Sequence, residues 1–375
     1  MLELGSGSGS ADSGSGSAAR SVRVLLVVNW FLKYATEQAA GLAEAGADVQ
    51  LVCRDNLMEF WGNEQEWHQC LERVTAATGR APWIIPFSGS GTRPRGGAAA
   101  VALHARRWAP DIVHTHPNVS PALFAAAPNV PVVLTVHDVV EHPGQWSKSL
   151  PKRAMERFWQ RRAAGFIVHG EELRAPLVAR VGRRPVAVVP HGVRPEERPD
   201  PVPPSPSILF FGRLEPYKGL SVLMQAMRLV WEVRPDAELV VAGRGVAESE
   251  VVEDPRIRKL ARYIPESEVS QLFRDARLVV APYIEGSQSG VVSLACARGI
   301  PAIVSDVGAL PALVVDRTQV VAPGDPTALA RALVDNLDHG DELRAAVHRK
   351  ARGELSWLAA GELTLRFYGE LLGGR

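Results

Sequence analysis

One segment of the chain combines glycines and cations in a way that suits phosphate chemistry. It reads Gly-Arg-Leu-Glu-Pro-Tyr-Lys-Gly over residues 212–219, after an apolar run and before a helical pattern. Gly212 allows close backbone approach, and the amino end of the following helix favours an anion. Arg213 and Lys218 can both bind phosphate oxygens. The segment predicts a phosphate site, although a solvated loop with two cations would also have this composition.

A second segment suits the binding of a sugar. Glu285 follows the apolar run 278–281 and precedes a helical stretch that Ser287 or Ser289 could cap. Gly286 and Gly290 leave the amino end of that helix approachable, and the Glu285 carboxylate can accept hydrogen bonds from sugar hydroxyls. The alternative is that Glu285 only offsets the helix dipole at the surface.

Two stretches of the chain share a strand–loop–helix–strand plan, which is the start of a parallel α/β sheet. The first unit has the predicted elements strand 22–28, loop 29–34, helix 36–45 and strand 49–53. The second has strand 208–211, loop 212–219, helix 220–234 and strand 239–242. The further predicted strands are 112–116, 132–136, 166–169 and 186–189 in the first half, and 278–281 and 302–305 in the second.

The predicted fold class is therefore α/β, with two Rossmann-like, doubly wound, parallel-sheet domains that face a cleft. Ligands of such sheets bind beyond the carboxyl ends of the strands, where both segments lie. At about 150 residues per domain, the length also favours two domains. The predicted organisation is a flexible Gly/Ser tail (1–20), a first Rossmann-like domain (21–193), a Pro-rich linker (194–207), a second Rossmann-like domain (208–355) and a C-terminal helix that packs back on the first domain (356–375).

The composition and net charge of the chain argue against several classes of function. The net charge of +1 gives no general attraction to nucleic acid, and we expect no nucleic-acid partner. Residues 1–20 lack the apolar segment of a signal peptide, and no run suits a membrane span. Cys53, Cys70 and Cys296 lie far apart, which favours a reducing compartment, so we expect a cytoplasmic protein. The excess of arginine over lysine hints at a GC-rich bacterial genome.

Taken in order, the motifs resemble the retaining glycosyltransferases of family 4, which have the GT-B fold. They are Gly-Arg-x-x-x-x-Lys-Gly at 212–219, Ala-Gly-Arg-Gly at 242–245, and Glu-Gly-x-x-Ser-Gly at 285–290. The likeness runs from residue 22 to the C-terminus. It implies transfer of a hexose-like sugar from a nucleotide diphosphate donor to a glycan, lipid-linked or small-molecule acceptor, with retention of configuration. The domain 21–193 would then be the acceptor side, and the domain 208–355 would bind the nucleotide sugar.

The resemblance also implies roles for single residues. Arg213 and Lys218 would hold the donor diphosphate as it leaves, beside Gly212 and the amides of Gly290 and Val291. Glu285 would contact the transferred sugar, and His137 would face that sugar from the first domain. The remaining substrate-binding residues implied are Gly243, Tyr263 and Ile264 near the base, together with Ser289, Ser293, His116 and Asn29.

Two positions depart from the family pattern. Ser293 stands where the family usually has a second glutamate, so a hydroxyl replaces the carboxylate expected at the ribose. The loop Asn-Trp-Phe-Leu-Lys-Tyr at 29–34 lacks the usual Gly-Gly pair, which puts an acceptor-side phosphate contact in doubt. A sugar-nucleotide-binding protein without turnover therefore remains an alternative, as does an epimerase or a phosphorylase on the same fold.

We expect no cofactor and no metal. His114 and His116 share one face of a strand, but no third ligand accompanies them, so a core or cleft role is favoured. The sequence has no Asp-x-Asp, and no Gly-x-Gly-x-x-Gly follows the first strand, which argues against metal-bridged diphosphate chemistry and a nicotinamide enzyme. Gly-x-Ser-x-Gly, which an esterase would need, is absent too.

Residues 146–166 suggest peripheral contact with the inner face of the cell membrane. The segment has one acid, Glu156, and the six cations Lys148, Lys152, Arg153, Arg157, Arg161 and Arg162. The spacing of Met155, Phe158, Trp159 and Arg162 predicts a helix on which aromatics and cations share a face. The alternative is that the apolar side chains pack on the sheet while the arginines stay solvated.

Overall fold

The computed structural model describes residues 20–60, 62–85, 97–116, 129–137, 139, 150–338 and 341–373. The predicted Gly/Ser tail lies outside these residues, apart from Arg20. Within them, two parallel sheets are each covered by helices on both faces, and this confirms the predicted fold class.

The first sheet has seven strands, and the neighbouring strands are all parallel. In chain order these strands are β1 (Arg23–Val27), β2 (Asp48–Arg54), β3 (Trp83–Ile85), β4 (Ile112–Thr115), β5 (Val132–Thr135), β6 (Gly165–Val168) and β7 (Val186–Val188). Their helices are α1 (Leu32–Glu44), α2 (Glu64–Thr78), α3 (Gly97–Trp108), α4 (Leu150–Arg162) and α5 (Glu171–Val181). The spatial order is β3-β2-β1-β4-β5-β6-β7.

The second sheet has six parallel strands. They are β8 (Ser207–Phe211), β9 (Glu238–Ala242), β10 (Ile257–Leu260), β11 (Leu278–Ala281), β12 (Ala302–Ser305) and β13 (Val320–Val321). The remaining helices are α6 (Leu220–Val233), α7 (Glu266–Arg274), α8 (Gly290–Ala297), α9 (Leu310–Leu313), α10 (Pro326–Leu337), α11 (Asp341–Arg352) and α12 (Trp357–Gly373). The order β10-β9-β8-β11-β12-β13 repeats that of the first six strands of the other sheet.

Each sheet reverses its strand order beside its first strand, between β1 and β4 and between β8 and β11. A crevice forms at such a switch point, beyond the carboxyl ends of the strands. Alternate residues of the strands bury themselves on opposite faces: Ile208 and Phe210 pack against α6 and α10, while Leu209 packs against α7, α8 and α11. The sequence therefore folds into two similar units that present their loops at one edge.

The structure differs from the predicted elements in two respects: the extent of one loop and three strands that were not predicted. The predicted loop 29–34 is too long, because α1 begins at Leu32, where the Glu59 carboxylate accepts hydrogen bonds from the first amides of the helix. The strands β3, β10 and β13 escaped prediction because each is a short strand at or near a sheet edge. Among the described residues, no helix is both long and apolar enough to cross a bilayer.

The last helix, α12, crosses to the first sheet after the second unit is complete. Gly41 of α1 and Gly361 of α12 lie at the crossing, where a Cβ on Gly361 would come within 2.3 Å of the Gly41 carbonyl oxygen. Tyr368 is wholly buried there, and its hydroxyl is hydrogen-bonded to His114 Nδ1. The 194–206 segment that precedes β8 has no helix or strand, and it is held by Glu196 and Asp200, whose amides donate to Ala297 and Arg298.

The crossing predicts that two identical substitutions will have opposite effects. A Cβ at Gly41 would lie 2.2 Å from the Trp357 carbonyl oxygen, whereas a Cβ at the exposed Gly369 meets nothing within 4 Å. Gly41→Ala should cost about 2 kcal/mol through overpacking. Gly369→Ala should add up to about 1 kcal/mol of helix propensity. Thermal unfolding checks this, and a Gly41→Ala protein as stable as Gly369→Ala would contradict the close crossing.

Candidate active site

Two glycines bring the backbone of the second unit together at the carboxyl ends of β8 and β9. Gly212 has φ 114° and Gly243 has φ 146°, so both adopt backbone conformations that other residues rarely take. A Cβ on Gly243 would lie 1.7 Å from the Gly212 carbonyl oxygen, and a Cβ on Gly212 would touch the Val291 side chain at 3.4 Å. The predicted residues Gly212, Gly243 and Val291 therefore meet at one point.

The two predicted cations lie on the loop that follows Gly212. Arg213 donates from Nη2 to the Tyr217 hydroxyl at 3.1 Å, and the Lys218 ammonium lies 3.8 Å from the ring centre of Tyr283. The pKa of Lys218 is lowered to about 8, mainly by burial and in smaller part by the nearby Arg213 guanidinium, while Tyr217 acts in the opposite direction. A bound anion would stabilise the charged form of Lys218.

The second predicted segment is joined to the first. The Ile284 amide donates to the Tyr217 carbonyl at 2.8 Å, and a Cβ on Gly219 would lie 1.9 Å from the Pro282 carbonyl oxygen. Of the two predicted caps, Ser289 is the one that caps α8. Its Oγ accepts from the Val292 amide at 3.3 Å and is hydrogen-bonded to the Tyr283 hydroxyl at 2.9 Å.

Glu285 and Gly290 are exposed beside this capped end of α8. The other predicted residues divide into accessible and inaccessible ones. Tyr263 is 48% exposed after β10, whereas Ile264 is buried in the core, so only Tyr263 can present its side chain to a ligand. Ser293 is buried, and its hydroxyl donates to the Ser289 carbonyl at 3.2 Å, back along its own helix.

Histidines that follow neighbouring strands form the first unit's part of the site. His116 and His169 come directly after β4 and β6, His137 comes two residues after the end of β5, and all three are buried. His137 Nε2 lies 2.8 Å from His116 Nδ1, and His137 Nδ1 lies 3.2 Å from His169 Nε2. Burial lowers the pKa of all three, that of His169 to about 3, so they are neutral at pH 7.

His137 also connects the two units. Gln288, two residues before α8, places its side-chain amide 3.2 Å from His137 Nδ1. The predicted sugar-facing histidine of the first unit therefore meets the predicted sugar-binding segment of the second. Sequence reasoning missed Gln288, although its position between Glu285 and Ser289 was the available signal.

Aromatic rings and one carboxylate complete the first unit's side. Tyr34 packs on His137 at 5.0 Å between ring centres, and Phe31 packs on the same histidine at 4.8 Å. Phe31 has φ 69°, a strained value for a bulky residue, and keeps 38% of its surface exposed. Glu59 accepts hydrogen bonds from the Leu32 and Lys33 amides at 2.9 and 3.3 Å.

The remaining predicted residues have structural contacts. The Asn29 carbonyl accepts a hydrogen bond of 3.5 Å from Asn56, beside the aromatic loop. His114 is wholly buried between Tyr368 and Thr135, which gives it a core role. Within the described parts of the chain, no three His, Cys, Asp or Glu side chains converge as metal ligands.

The predicted shared face on α4 is wrong. Trp159 is wholly buried in the core under the first sheet, whereas Phe158 is 40% exposed. Arg162 is half-buried and donates to the Val130 carbonyl at 3.1 Å. A helix in contact with a sheet turns one aromatic inward, so the outer surface keeps Arg157, Phe158 and Arg161. Residues 146–149 lie outside the described residues.

Comparison with known proteins identifies the family to which the chain is similar. The profile "Glycosyltransferase Family 4" matches residues 33–197, and "Glycosyl transferases group 1" matches residues 205–339. A phosphatidyl-myo-inositol mannosyltransferase of Mycobacterium leprae is 29% identical over 80% of this chain and 84% of that protein. A glycogen synthase of Mycobacterium tuberculosis is 26% identical over 70% of this chain and 69% of that protein.

Solved structures agree on the fold. The Anabaena HepE protein, crystallised in complex with UDP-glucose, gives a TM-score of 0.65 at 15% identity, over 94% of this chain and all of that one. TarM gives 0.66 at 12% identity, over 94% of this chain and 98% of the other. The two family profiles, the two similar sheets and the loops that meet at His137 lead to one conclusion. The chain belongs to glycosyltransferase family 4, and it is a glycosyltransferase of the GT-B fold.

Proposed function

We propose that this enzyme transfers a hexose-like sugar from a nucleoside diphosphate donor, with retention of configuration. The observation that carries the proposal is the cradle formed by Gly212, Gly243 and the amino end of α8, with Arg213 and Lys218 beside it. Negative charge builds on the diphosphate as the sugar leaves. Cations and helix amides that are already in place stabilise that charge without reorganisation.

The sugar and the base occupy opposite sides of this cradle. Glu285 and His137 are the groups available to the sugar, because one is exposed before α8 and the other meets Gln288 across the cleft. Tyr263 is the exposed ring available to the nucleoside base. Ser293 takes no part in ribose binding in this proposal, since its hydroxyl is bonded within α8. The two cations take the place of a metal, so the reaction needs no metal ion.

The acceptor group that enters beside His137 is uncharged in this proposal. The amino end of α1 would otherwise attract a phosphate, but the Glu59 carboxylate already accepts its Leu32 and Lys33 amides. Lys33 itself is paired with Glu66 at 2.9 Å. Trp30 and Phe31 are the exposed aromatics of this loop, which suits the apolar face of a sugar ring or aglycone.

Removal of either cation should impair turnover without unfolding the enzyme. Arg213→Ala and Lys218→Ala should each lower kcat by about 10²–10³-fold, since each removes a donor to the leaving diphosphate. Arg228→Ala, at an exposed arginine of α6, is the control and should leave turnover unchanged. Steady-state kinetics with the preferred nucleotide sugar give the answer. Near-normal activity in both variants would place the diphosphate site elsewhere.

Lys218 also predicts how donor affinity depends on pH. Its pKa of about 8 means that the free enzyme holds the lysine charged below pH 8 and increasingly neutral above it. Because the diphosphate favours the charged form, binding above pH 8 takes up a proton. The Kd should then rise up to about tenfold per pH unit. Calorimetry on wild type and Lys218→Arg tests this. The arginine variant should lose the dependence, and equal slopes would refute the assignment to Lys218.

Glu59→Ala should open an anion site that the wild-type enzyme lacks. Loss of the cap should lower stability by about 1 kcal/mol. Phosphate or sulfate should then raise the Tm of Glu59→Ala more than that of wild type, because the freed amides of α1 can accept an anion. Glu72→Ala, at an exposed glutamate of the neighbouring helix α2, serves as the control. The same anion response in wild type and Glu59→Ala would mean that Glu59 does not govern charge at this position.

We also propose that the enzyme acts in the cytoplasm and docks on the inner face of the membrane through the outer surface of α4. Arg157, Phe158 and Arg161 are exposed there. Each cation near an anionic surface contributes about 1 kcal/mol. Sedimentation with liposomes should show binding that rises with anionic lipid. Arg157→Gln with Arg161→Gln should weaken it, whereas Arg174→Gln with Arg180→Gln on α5 should not. Equal binding by both double variants would leave α4 with a packing role alone.

A further inference from the structure

A row of hydrogen bonds runs from a backbone carbonyl to the histidine at the cleft. His169 Nδ1 lies 3.0 Å from the Val189 carbonyl oxygen, and His169 Nε2 lies 3.2 Å from His137 Nδ1. His137 Nε2 lies 2.8 Å from His116 Nδ1, and His116 Nε2 lies 3.1 Å from the side-chain amide of Gln38. Every ring nitrogen of these histidines therefore has a partner.

We propose that His169, anchored by the Val189 carbonyl, is a positioning residue that fixes His137 as its Nδ1–H tautomer. His137 then offers a hydrogen-bond donor, not a base, to the ligand. The proposal rests on the role of His137 given above. It goes further by stating which nitrogen carries the proton and which residue decides it.

The direction of each bond follows from the first one. A carbonyl oxygen can only accept, so His169 Nδ1 carries the hydrogen and donates to Val189. A neutral imidazole has one N–H, so His169 Nε2 is an acceptor, and His137 Nδ1 must donate to it. His137 Nε2 then accepts from His116 Nδ1, and His116 Nε2 is left as an acceptor. Gln38 Oε1 lies 3.1 Å from this nitrogen, so a half-turn of the Gln38 amide is needed to place an N–H donor there. The tautomers of the whole row are set at Val189.

A positively charged histidine donates from both ring nitrogens, so this assignment of donors and acceptors holds only for neutral rings. The surroundings disfavour the charged form. His116, His137 and His169 are buried together, with Tyr34 packed against all of them. Burial lowers the pKa of each, and the neighbouring histidines lower that of His137 further. Among the described residues His114 and His191 also lie close, and they too are buried with lowered pKa values. The row therefore consists of neutral rings.

Gln288 lies on the other side of His137 Nδ1 and is compatible with the same tautomer once its amide is turned. Its Oε1 is buried with no hydrogen-bond partner in the described part of the chain, while its Nε2 faces His137 Nδ1 at 3.2 Å. A half-turn of the amide exchanges these atoms, so Oε1 becomes an acceptor for the N–H on Nδ1. Both Gln288 and His169 then accept from His137. This arrangement leaves no two donors and no two acceptors facing each other.

The tautomer of His137 determines which group a ligand meets at the cleft. The single N–H on His137 Nδ1 is donated to His169 Nε2 and also faces Gln288, which belongs to the segment that begins with Glu285. A donor-sugar oxygen that takes the place of the Gln288 amide would share this N–H with His169. That group can donate to a hydroxyl or ring oxygen, and it cannot remove a proton. Positioning His137 in this way costs no reorganisation when the sugar binds.

The tautomer can be measured directly in the wild-type protein. Protein labelled with ¹⁵N-histidine gives long-range ¹H–¹⁵N spectra that distinguish the Nδ1–H, Nε2–H and charged forms. The His137 signals are assigned by their loss in His137→Gln. At pH 7 the proposal predicts the Nδ1–H pattern for His137, His116 and His169. An Nε2–H or charged pattern for His137 overturns it, and this result requires no variant of His169 to fold.

His169→Phe then tests the positioning role, with His191→Phe as the matched control. His191 is a buried neighbour that also contacts Tyr34 and bonds to the Gly192 carbonyl, but it is not hydrogen-bonded to His137. His169→Phe should convert His137 to a mixture of tautomers and lower kcat about ten- to a hundredfold, as outer partners of functional histidines do. The donor KM should change little, and His191→Phe should leave the His137 pattern intact.

The two readouts separate the possible failures. If His137 keeps a pure Nδ1–H pattern in His169→Phe, then His169 does not set the tautomer and the positioning role is overturned. If the tautomer changes while kcat stays at the wild-type value, the positioning role stands, and the proposed contact of His137 with the sugar is refuted.

Discussion

The close contact between Gly212 and Gly243 is the constraint on which the active site depends. A side chain at Gly243 would meet the Gly212 carbonyl oxygen at 1.7 Å, so β8 and β9 can end this closely only if Gly243 lacks a Cβ. Gly212 is needed for a different reason, because its φ of 114° is one that other residues rarely adopt. The space beside the two glycines is bounded by Val291 and the capped start of α8. That space lies beyond the carboxyl ends of parallel strands, where backbone amides and a helix end face a ligand together. Arg213 and Lys218 then supply the charge that the amides lack.

Charge is divided unequally between the two units. The second unit presents cations, and one of them, Lys218, has a pKa already lowered by burial. The first unit presents neutral histidines, aromatic rings and a helix end that Glu59 has filled. In the proposed reaction, the diphosphate binds on the side of the second unit, and the sugar and an uncharged acceptor meet on the side of the first. Gln288 and His137 meet where these two environments join.

The sequence predicted the strands and the loops well, because a buried parallel strand is a short apolar run. The runs 278–281 and 302–305 coincide with β11 and β12, and the glycines, cations and Glu285 all lie at strand ends. The local spacing of apolar residues also predicted the helix α4, but it could not show which of two adjacent aromatic residues faces the sheet. Trp159 is buried and Phe158 exposed because of where β5 and β6 lie, which is tertiary information.

The features that the sequence could not reveal are the ones that depend on distant residues. Glu59 and α1 are separated by β2, and His169 is set by a carbonyl beyond α5. Likewise, Ser293 looked able to contact a ribose until its hydroxyl was found to bond within its own helix. Residue types and their positions at strand ends named the candidates. Their partners decide what each one can do, and partners come from the fold.

The central claim is that the glycine cradle of the second unit binds a nucleoside diphosphate sugar. A thermal-shift screen of UDP-, GDP- and ADP-sugars tests it most directly, with the free sugars and nucleoside monophosphates as comparisons. One nucleotide sugar at 100 times its Kd should stabilise the protein by about 2.7 kcal/mol, while its free sugar and its monophosphate should stabilise far less. Stabilisation by no nucleotide sugar at millimolar concentration, or equal stabilisation by the monophosphate, would contradict a diphosphate-sugar site.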